Sequence, residues 1–450
     1  MDKLFAMSFP RTLWVLLFLL AGLLTDAAAQ EPQPWTLRNC IDYALEHNIQ
    51  IQTQEITRET SEASLQQARA AQYPTLNFST SFGANFQNVA TYNDYMEKSS
   101  GISASNNYGL NSGMTLYQGG RLRNTVKQQE LQVEAAGYDV EQSRMELEIN
   151  IAQAYLQMLY NKEALDLNRQ TAELSARQVS RGEELFNAGS ISKVELSQLR
   201  SQHASDLYQT VSAENALENA RLQLKQLLEL GLDEPFEPVY PEIGDELVGA
   251  PLPTLADIYA DAVENLPSMK SAALGVDAAD MAVKVAKGSF APSLNLSAGL
   301  STGWNSSTGT TYFDQLGNKL GESLGLSLSL PIFNGKQVRT NVKRAELQYA
   351  AQQLQFESSK KQLLSTLESL RNDAVSAQHR YFSAQEQLKA AEESYGLVTE
   401  QFEAGIKNTV ELLTEKNNYV NALSQQLQAK YQAVLAAKVL GRYMEQPIDL

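Results

Sequence analysis

The hydrophobic pattern changes its period abruptly near residue 335. Leucine occupies every second position of Leu324–Leu330, and glycine or serine fills the positions between. Alternation of this kind is typical of a β-strand with one apolar face. Beyond Gly335 the alternation stops, and neither proline nor glycine occurs again until Gly396. The pattern therefore predicts a strand joined directly to a very long helix.

Three further segments alternate in the same way: Leu76–Phe82, Tyr108–Leu116 and Leu294–Leu300. Each of the four strands is close to the roughly 9 to 11 residues that cross a bilayer as a tilted strand. One such strand alone would more often belong to a soluble sheet, but all four adjoin long helices and have a small, polar opposite face. This combination favours a membrane barrel with lipid outside and water inside.

Four strands cannot close a barrel around a passage. Open sheet edges are not tolerated in lipid, because unpaired backbone groups are costly there. Copies of the chain must therefore share one barrel. Three copies would supply twelve strands, an even number that can close around a lumen, so we expect a homotrimer.

Apolar residues in two long segments follow steps of four and three, the spacing of a coiled-coil seam. These residues are Met145, Ile149, Ala152, Leu156 and Leu159 in the first segment, and Leu363, Leu367, Leu370, Ala374 and Ala377 in the second. A helix from Arg121 to Ala188 would be roughly 100 Å long. Helices of that length are rare in globular domains and predict an elongated helical structure.

Four pairs of matching segments divide the chain into two homologous halves. The pairs are YPTLNFSTSFG at 73 with APSLNLSAGLSTG at 291, LYQGGRLRN at 116 with IFNGKQVRT at 332, LFNAGSISKVEL at 185 with QFEAGIKNTVEL at 401, and the weaker TLRNCIDYALEHN at 36 with TLADIYADAVEN at 254. Prolines crowd the segment between the halves. We therefore assign residues 30–230 to the first repeat, 231–252 to a connector and 253–450 to the second repeat.

The first residues have the order of a secretory signal peptide, which we assign to residues 1–29. Lys3 and Arg11 precede the apolar run Leu13–Leu24, and three alanines follow at Ala27–Ala29. No later stretch is long and apolar enough to predict a transmembrane helix. The sequence thus predicts export from the cytoplasm.

Charge and side-chain chemistry exclude several function classes. The formal net charge of −16 disfavours a nucleic-acid partner. Three isolated histidines, His47, His203 and His379, have no second ligand at helical spacing and predict no metal site. The single cysteine, Cys40, fits an apolar helix position better than a lipid-anchoring site. No phosphate loop or nucleophile motif is present, so we predict neither an enzyme nor a cofactor.

The order helix, hairpin, long helix, turn and helix, repeated twice behind a signal peptide, resembles the TolC-like outer-membrane efflux protein family over essentially the whole mature chain. The motifs that carry the resemblance are the junctions LYQGGR and LPIFNGK, and two F-x-A-G turns that are each followed by V-E-L. The resemblance implies a mixed fold: a twelve-stranded membrane β-barrel in the Gram-negative outer membrane, continued by an α-helical barrel that crosses the periplasm.

The function implied by this resemblance is a passive exit duct of a tripartite efflux or type I secretion system. Its partners would be a periplasmic adaptor, an inner-membrane pump and outer-membrane lipid. A trimeric coiled-coil scaffold or adhesin in the outer membrane is the alternative, although it would not need two helix reversals. Drug efflux and protein secretion use the same duct, and the sequence does not separate them.

The resemblance also implies places for particular residues. Four residues mark the strand-to-helix junctions: Gly119, Gly120, Pro331 and Gly335. Four others lie at the periplasmic tips and would dock the adaptor: Gly189, Ser190, Gly405 and Ile406. At each tip the glycine would supply the helix-ending conformation that glycine adopts at little cost. A tight helical hairpin without a partner is the alternative for the tips.

A constriction and a latch are implied close to the same turns. Glu411, six residues after the second tip glycine, would form an acidic ring in the tunnel together with its counterpart Glu195, and Thr414 stands where family members often have another acid. Lys407 would bond to Glu195 and hold the tip shut. Phe402 replaces the family's tyrosine and lacks a hydroxyl, so one link is lost. Solvated, unpartnered side chains are the alternative.

Two segments between paired strands are rich in Asn, Gly, Ser and Thr: Gly83–Asn107 and Gly303–Ser323. Because external loops are the longer ones in outer-membrane barrels, we expect both segments on the cell exterior. Tags near Asp94 and Asp314 should then be reached by antibody on intact cells.

Overall fold

The computed structural model of the chain describes residues 34–92, 98–231 and 234–449, with side chains described except at 87–101. The predicted signal peptide and Asp94 lie outside these residues. Within them the first half contains α1 (Leu37–His47), α2 (Ile49–Ala70), β1 (Thr75–Tyr92), β2 (Lys98–Gln118), α3 (Arg121–Asn187) and α4 (Lys193–Leu227). The second half contains α5 (Leu255–Asn265), α6 (Pro267–Gly288), β3 (Ser293–Asn305), α7 (Tyr312–Asn318), β4 (Gly321–Ser329), α8 (Gln337–Glu403) and α9 (Thr409–Arg442).

The strands form one antiparallel sheet in the order β1-β2-β3-β4. The register places Phe78 opposite Leu110, Leu110 opposite Leu300, and Leu296 opposite Leu326. Opposed side chains share a face of the sheet, so the alternating apolar residues of all four strands cover a single face. That face is exposed in the chain, with Leu76, Phe78, Leu324 and Leu326 all more than 60% accessible.

Four details of the sheet differ from the predictions. β1 and β2 have 18 and 21 residues, not about ten. The predicted loop Gly83–Asn107 is mostly strand, because pairing continues through Phe86 opposite Ile102 despite the polar composition. The predicted loop Gly303–Ser323 contains α7, and its ends belong to β3 and β4. A register shift between Thr115 and Tyr117 also ends the alternation that was expected to include Leu116.

Helices α3 and α8 have 67 residues each, which corresponds to about 100 Å. The predicted helix Arg121–Ala188 is therefore confirmed to within one residue. The predicted seams are buried at Met145, Ala152, Leu156 and Leu159 in α3, and at Leu363, Leu367, Ala374 and Ala377 in α8. Of the helices in the described residues, none has the length and apolar character needed to cross a membrane.

The largest apolar core surrounds the middle of α3, where α1, α4, α8, α9 and the segment between the halves meet. Cys40 is fully buried there, which agrees with an apolar helix position. The Tyr155 hydroxyl donates to the Val239 carbonyl at 2.5 Å, and Trp35 pairs with Pro238. These contacts hold the connecting segment against the middle of α3, whose two ends lead to the sheet and to the tip.

Candidate functional site

Helices α3 and α8 end in the same turn. Its glycines, Gly189 and Gly405, have φ angles of +77° and +74°, a region that residues with a Cβ occupy only with strain. The closing hydrogen bonds are Ser190 N–H to Leu185 C=O and Ile406 N–H to Gln401 C=O, both 2.8 Å. This is the Schellman arrangement that ends many helices, so the helix-ending conformation predicted for both glycines is present.

Each helix that follows a tip turn begins with a capping box. Glu195 accepts a hydrogen bond from the Ser192 N–H at 2.7 Å, and the Ser192 hydroxyl accepts one from the Glu195 N–H at 3.2 Å. Asn408 and Glu411 repeat this exchange at 3.2 and 3.0 Å. The glutamate of each V-E-L motif therefore stabilises its own helix start by satisfying backbone groups that the helix leaves unpaired. The S-x-x-E spacing could have revealed this role from sequence.

Only the second tip adds a cation to its capping box. Lys407 donates to the free oxygen of Glu411 at 2.5 Å, whereas Ile191 occupies the equivalent position of the first half. The hydrogen bond from Lys407, followed by the backbone bond from Asn408, holds the pKa of the Glu411 carboxyl below its ordinary value of 4.5. Both side chains are about 40% exposed, so Glu411 is a solvent-accessible carboxylate that is paired with a cation.

The predicted Lys407–Glu195 pair does not form within the described residues of one chain. Lys407, in the turn before α9, donates to Glu411 in the first turn of that helix, and the Glu195 carboxylate lies at the start of α4 in the other hairpin. Phe402 is buried, and the Thr414 hydroxyl donates to the Val410 carbonyl of its own helix at 2.8 Å. A latch through Glu195 thus stays a prediction for contacts between copies.

The most buried ion pair of the described residues joins the two halves, and sequence analysis did not predict it. Lys416 on α9 is 0% exposed and donates to Asp206 on α4 at 2.5 Å. Gln202 donates to the other Asp206 oxygen at 2.9 Å. The residue equivalent to Lys416 in the first half is Arg200, which is 59% exposed and pairs with Glu183 at 2.7 Å. A lysine in a polar-looking stretch of a coiled coil gives no sequence signal of burial.

The strand-to-helix junctions also differ between the halves. Gly119 and Gly120 have φ angles of +59° and +76°, whereas the second junction has Gly335 at +59° and Lys336 at +67°. A Cβ on Gly119 would lie 2.3 Å from the Gly288 carbonyl oxygen at the end of α6, but a Cβ on Gly335 would meet no atom within 4 Å in the described chain. Pro331 lies two residues after the end of β4, outside any helix or strand.

Apolar side chains are exposed around both tip turns. Val194 and Val410, which are equivalent in the two halves, are 67% and 55% exposed, and Ile406 is 73% exposed. Among the residues that the structure describes, His, Cys, Asp and Glu side chains form no group arranged to bind a metal. The tips therefore offer an apolar surface beside a capped acidic turn, which suits protein contact and ion passage.

Comparisons with known proteins agree with this architecture. A family model described as outer membrane efflux protein matches residues 40–229 and 258–444. The fusaric acid resistance protein FusA of Burkholderia cepacia is 29% identical over 217 residues, which cover 47% of this chain and 39% of FusA. Outer membrane protein TolC of Escherichia coli strain K12 is 26% identical over 352 residues, which cover 74% of this chain and 66% of TolC. The matched regions thus span less than two thirds of either relative.

A solved structure of CusC, described in connection with transmembrane channel formation, has a TM-score of 0.79 at 18% identity and covers 91% of both chains. At this identity the similarity shows the fold, which is that of trimeric channels with a β-barrel and a helical tunnel. TolC and CusC are channels of the Gram-negative outer membrane that extend through the periplasm, and this chain shares that location. Because the family model matches most of its residues, the chain belongs to the outer membrane efflux protein family.

Proposed function

We propose that three copies of this chain form a passive exit duct from the periplasm to the cell exterior. The observation that carries the proposal is the direct joining of an apolar-faced strand to a 67-residue helix, twice in one chain. A duct needs one wall that faces lipid and another that crosses an aqueous space, and these two junctions connect the two walls without an intervening domain.

The edges of the chain support assembly with further copies. β1 and β4 each have a partner on one side only, and unpaired strand edges are not tolerated in lipid. Helices α2 and α8 also carry exposed apolar residues, including Ile56, Leu347 and Leu354. Joining β4 of one copy to β1 of the next would cover both strand edges and close a barrel of three four-stranded sheets.

The tips are the proposed docking site for a periplasmic adaptor, which would in turn bind an inner-membrane pump. Exposed Ile406, Val194 and Val410 supply apolar area on both hairpins. Photo-crosslinkers at Ser190 and Ile406 should capture an adaptor in living cells. The matched control is a crosslinker near Pro238, beside the middle of the long helices. Capture there alone would move the contact away from the tips.

The direct test of the function is deletion of the gene in its natural host, followed by two measurements. Loss of an efflux duct increases susceptibility to toxic small molecules, whereas loss of a secretion duct removes proteins from the culture medium. Either change should be restored by the wild-type gene. If neither changes while the trimer is present in the outer membrane, the duct proposal is wrong, and the scaffold or adhesin alternative gains support.

A further inference from the structure

Helix α7, between β3 and β4, packs against the apolar face of the sheet. The Tyr312 hydroxyl lies 3.0 Å from the Tyr108 hydroxyl on β2, and the Tyr312 ring lies 5.6 Å from the Trp304 ring on β3. The Thr302 hydroxyl donates to the Leu316 carbonyl of the helix at 2.6 Å. In the register, Tyr108 and Thr302 are opposed two residues beyond the Leu110–Leu300 pair. The strand residues that hold α7 therefore point to the same side as the leucines.

Because α7 packs on the apolar face of the sheet, its place in the assembled barrel can be inferred. A closed barrel whose lumen is polar has its apolar face outside, so α7 lies against the outer wall and not across the mouth. The side chains that hold it are on β2 and β3, the inner strands of the sheet, whereas the next copy would join at the edge strands β1 and β4. Lipid, and not a second copy, is the neighbour that this position offers.

A buried glutamine fixes the helix in that position. Gln315 is 2% exposed, and its amide oxygen accepts from the Asn305 N–H at 3.0 Å. Its amide nitrogen lies 3.0 to 3.3 Å from the carbonyl oxygens of Asn305, Thr308 and Thr310. Because the hairpin turn and the helix share this one side chain, α7 cannot swing away from the wall without leaving buried polar groups unpaired.

The side chains that α7 presents to its surroundings suit a membrane–water boundary. Phe313 is 81% exposed next to Tyr312, and Leu320 is 55% exposed after the helix. Lys319 and Glu322 lie close by, and Glu322 is opposed to Leu300 at the upper end of the apolar part of β4. Aromatic residues beside charged ones are characteristic of the interfacial girdles of outer-membrane barrels.

From this position we infer that α7 is an external membrane anchor, which inserts Phe313 into the interfacial region of the outer leaflet. The inference uses the lipid-facing sheet and needs no adaptor, pump or substrate. It changes the expected topology of the second external segment: Asp314 would lie at lipid headgroup level, while the turn at Thr308 projects into water.

Spin labels measure this depth directly. Phe313→Cys and the control Thr308→Cys would be prepared in a Cys40→Ala background, and each trimer would be reconstituted into phosphatidylethanolamine–phosphatidylglycerol vesicles. The label at 313 should collide more with oxygen, which concentrates in lipid, than with an aqueous nickel chelate. The label at 308 should show the opposite order. If Cys40→Ala does not fold, the native cysteine can stay, because its side chain is 0% exposed.

Two results would overturn the anchor. Equal, high nickel accessibility at 313 and 308 would place α7 in water. Low accessibility to both reagents at 313 would mean that protein covers Phe313. Conductance of the same reconstituted trimers separates this inference from the duct proposal, since a conducting trimer with a water-exposed 313 label would reject only the anchor.

Discussion

The two tips of the chain share their backbone and differ in their charges. Both have a glycine at positive φ followed by a capping box. Only the second has a lysine on the capping glutamate, and only the second contributes a buried lysine, Lys416, to the contact between the hairpins. The repeated residues therefore build the turn, whereas the residues that differ decide how the two hairpins hold each other.

The largest expected effect comes from the buried pair. Lys416→Met leaves Asp206 as a buried carboxylate without its cation, and breaking such a pair costs about 3 to 5 kcal/mol. Arg200→Met, the equivalent change in the first half, removes an exposed pair worth about 0.2 to 1 kcal/mol. The thermal unfolding midpoint of the purified trimer should therefore fall much further for Lys416→Met.

A double variant controls for lost packing at the same site. Asp206→Leu with Lys416→Met removes both charges together, and replacement of a buried pair by apolar groups is often close to neutral. The unfolding midpoint of the double variant should therefore lie closer to that of the wild type than to that of Lys416→Met. Equal midpoints for Lys416→Met and Arg200→Met would show that the assembled trimer leaves Lys416 solvated.

The junctions provide the second comparison. Alanine at either Gly119 or Gly335 takes on left-handed strain of roughly 1 to 2 kcal/mol. Gly119→Ala also forces a Cβ to within 2.3 Å of the Gly288 carbonyl oxygen, and overpacking of this kind adds about 1 to 3 kcal/mol. The thermal unfolding midpoint should be highest for the wild type, lower for Gly335→Ala and lowest for Gly119→Ala. A similar fall in the unfolding midpoint for both variants would indicate that a neighbouring copy packs on Gly335 in the trimer.

The acidic turns can be compared by ion selectivity in planar bilayers. If Glu411 faces the tunnel, Glu411→Ala should lower cation selectivity and relieve block by trivalent cations, because three carboxylates near one axis attract cations. Glu195→Ala is the matched change in the first half. Lys407→Ala should act in the opposite direction to Glu411→Ala, since it removes the charge that neutralises the carboxylate. Unchanged selectivity in all three variants would place these groups outside the conduction path.

The latch can be tested as a coupling between side chains. The effects of Lys407→Ala and Glu411→Ala on resting conductance should be non-additive, because the two side chains form an ion pair at 2.5 Å within one copy. The effects of Lys407→Ala and Glu195→Ala should be closer to additive, since each of these side chains has another partner. An exposed pair contributes only about 0.2 to 1 kcal/mol. Stronger coupling to Glu195 would support the original latch, formed between copies.

Sequence alone predicted most of the fold, because period and glycine placement are local signals. The bounds of α3, the burial of its seam and the conformations of Gly189 and Gly405 all follow from spacing that one segment contains. The lengths of the strands do not follow from local spacing. The polar residues of Gly83–Asn107 look like a loop, and only their pairing with a second strand shows that they continue the sheet.

The candidate site was less accessible to sequence reasoning. Lys407 and Glu195 could be placed near the tips by their distance from a glycine, but their partners depend on which rotamer reaches which oxygen. Lys416 and Asp206 are 210 residues apart, and neither stands out from the many charged residues of the long helices. Contacts between distant helices need the three-dimensional packing, which no periodicity of one helix encodes.

The smallest expected effect is a shift in pH dependence at the second tip. The Lys407 hydrogen bond keeps the pKa of Glu411 below 4.5. A lowered pKa stabilises the folded turn above the carboxyl's ordinary pKa, and this stabilisation is lost as pH falls through the lowered value. In Lys407→Ala the pKa should rise towards its ordinary value, so acid should increase resting conductance at a higher pH than in wild type. Ile191→Ala, at the equivalent position of the first tip, should leave the profile unchanged. A conductance–pH curve measured for each of the three proteins checks this, and coincident curves for wild type and Lys407→Ala would show that Glu411 does not control the tip.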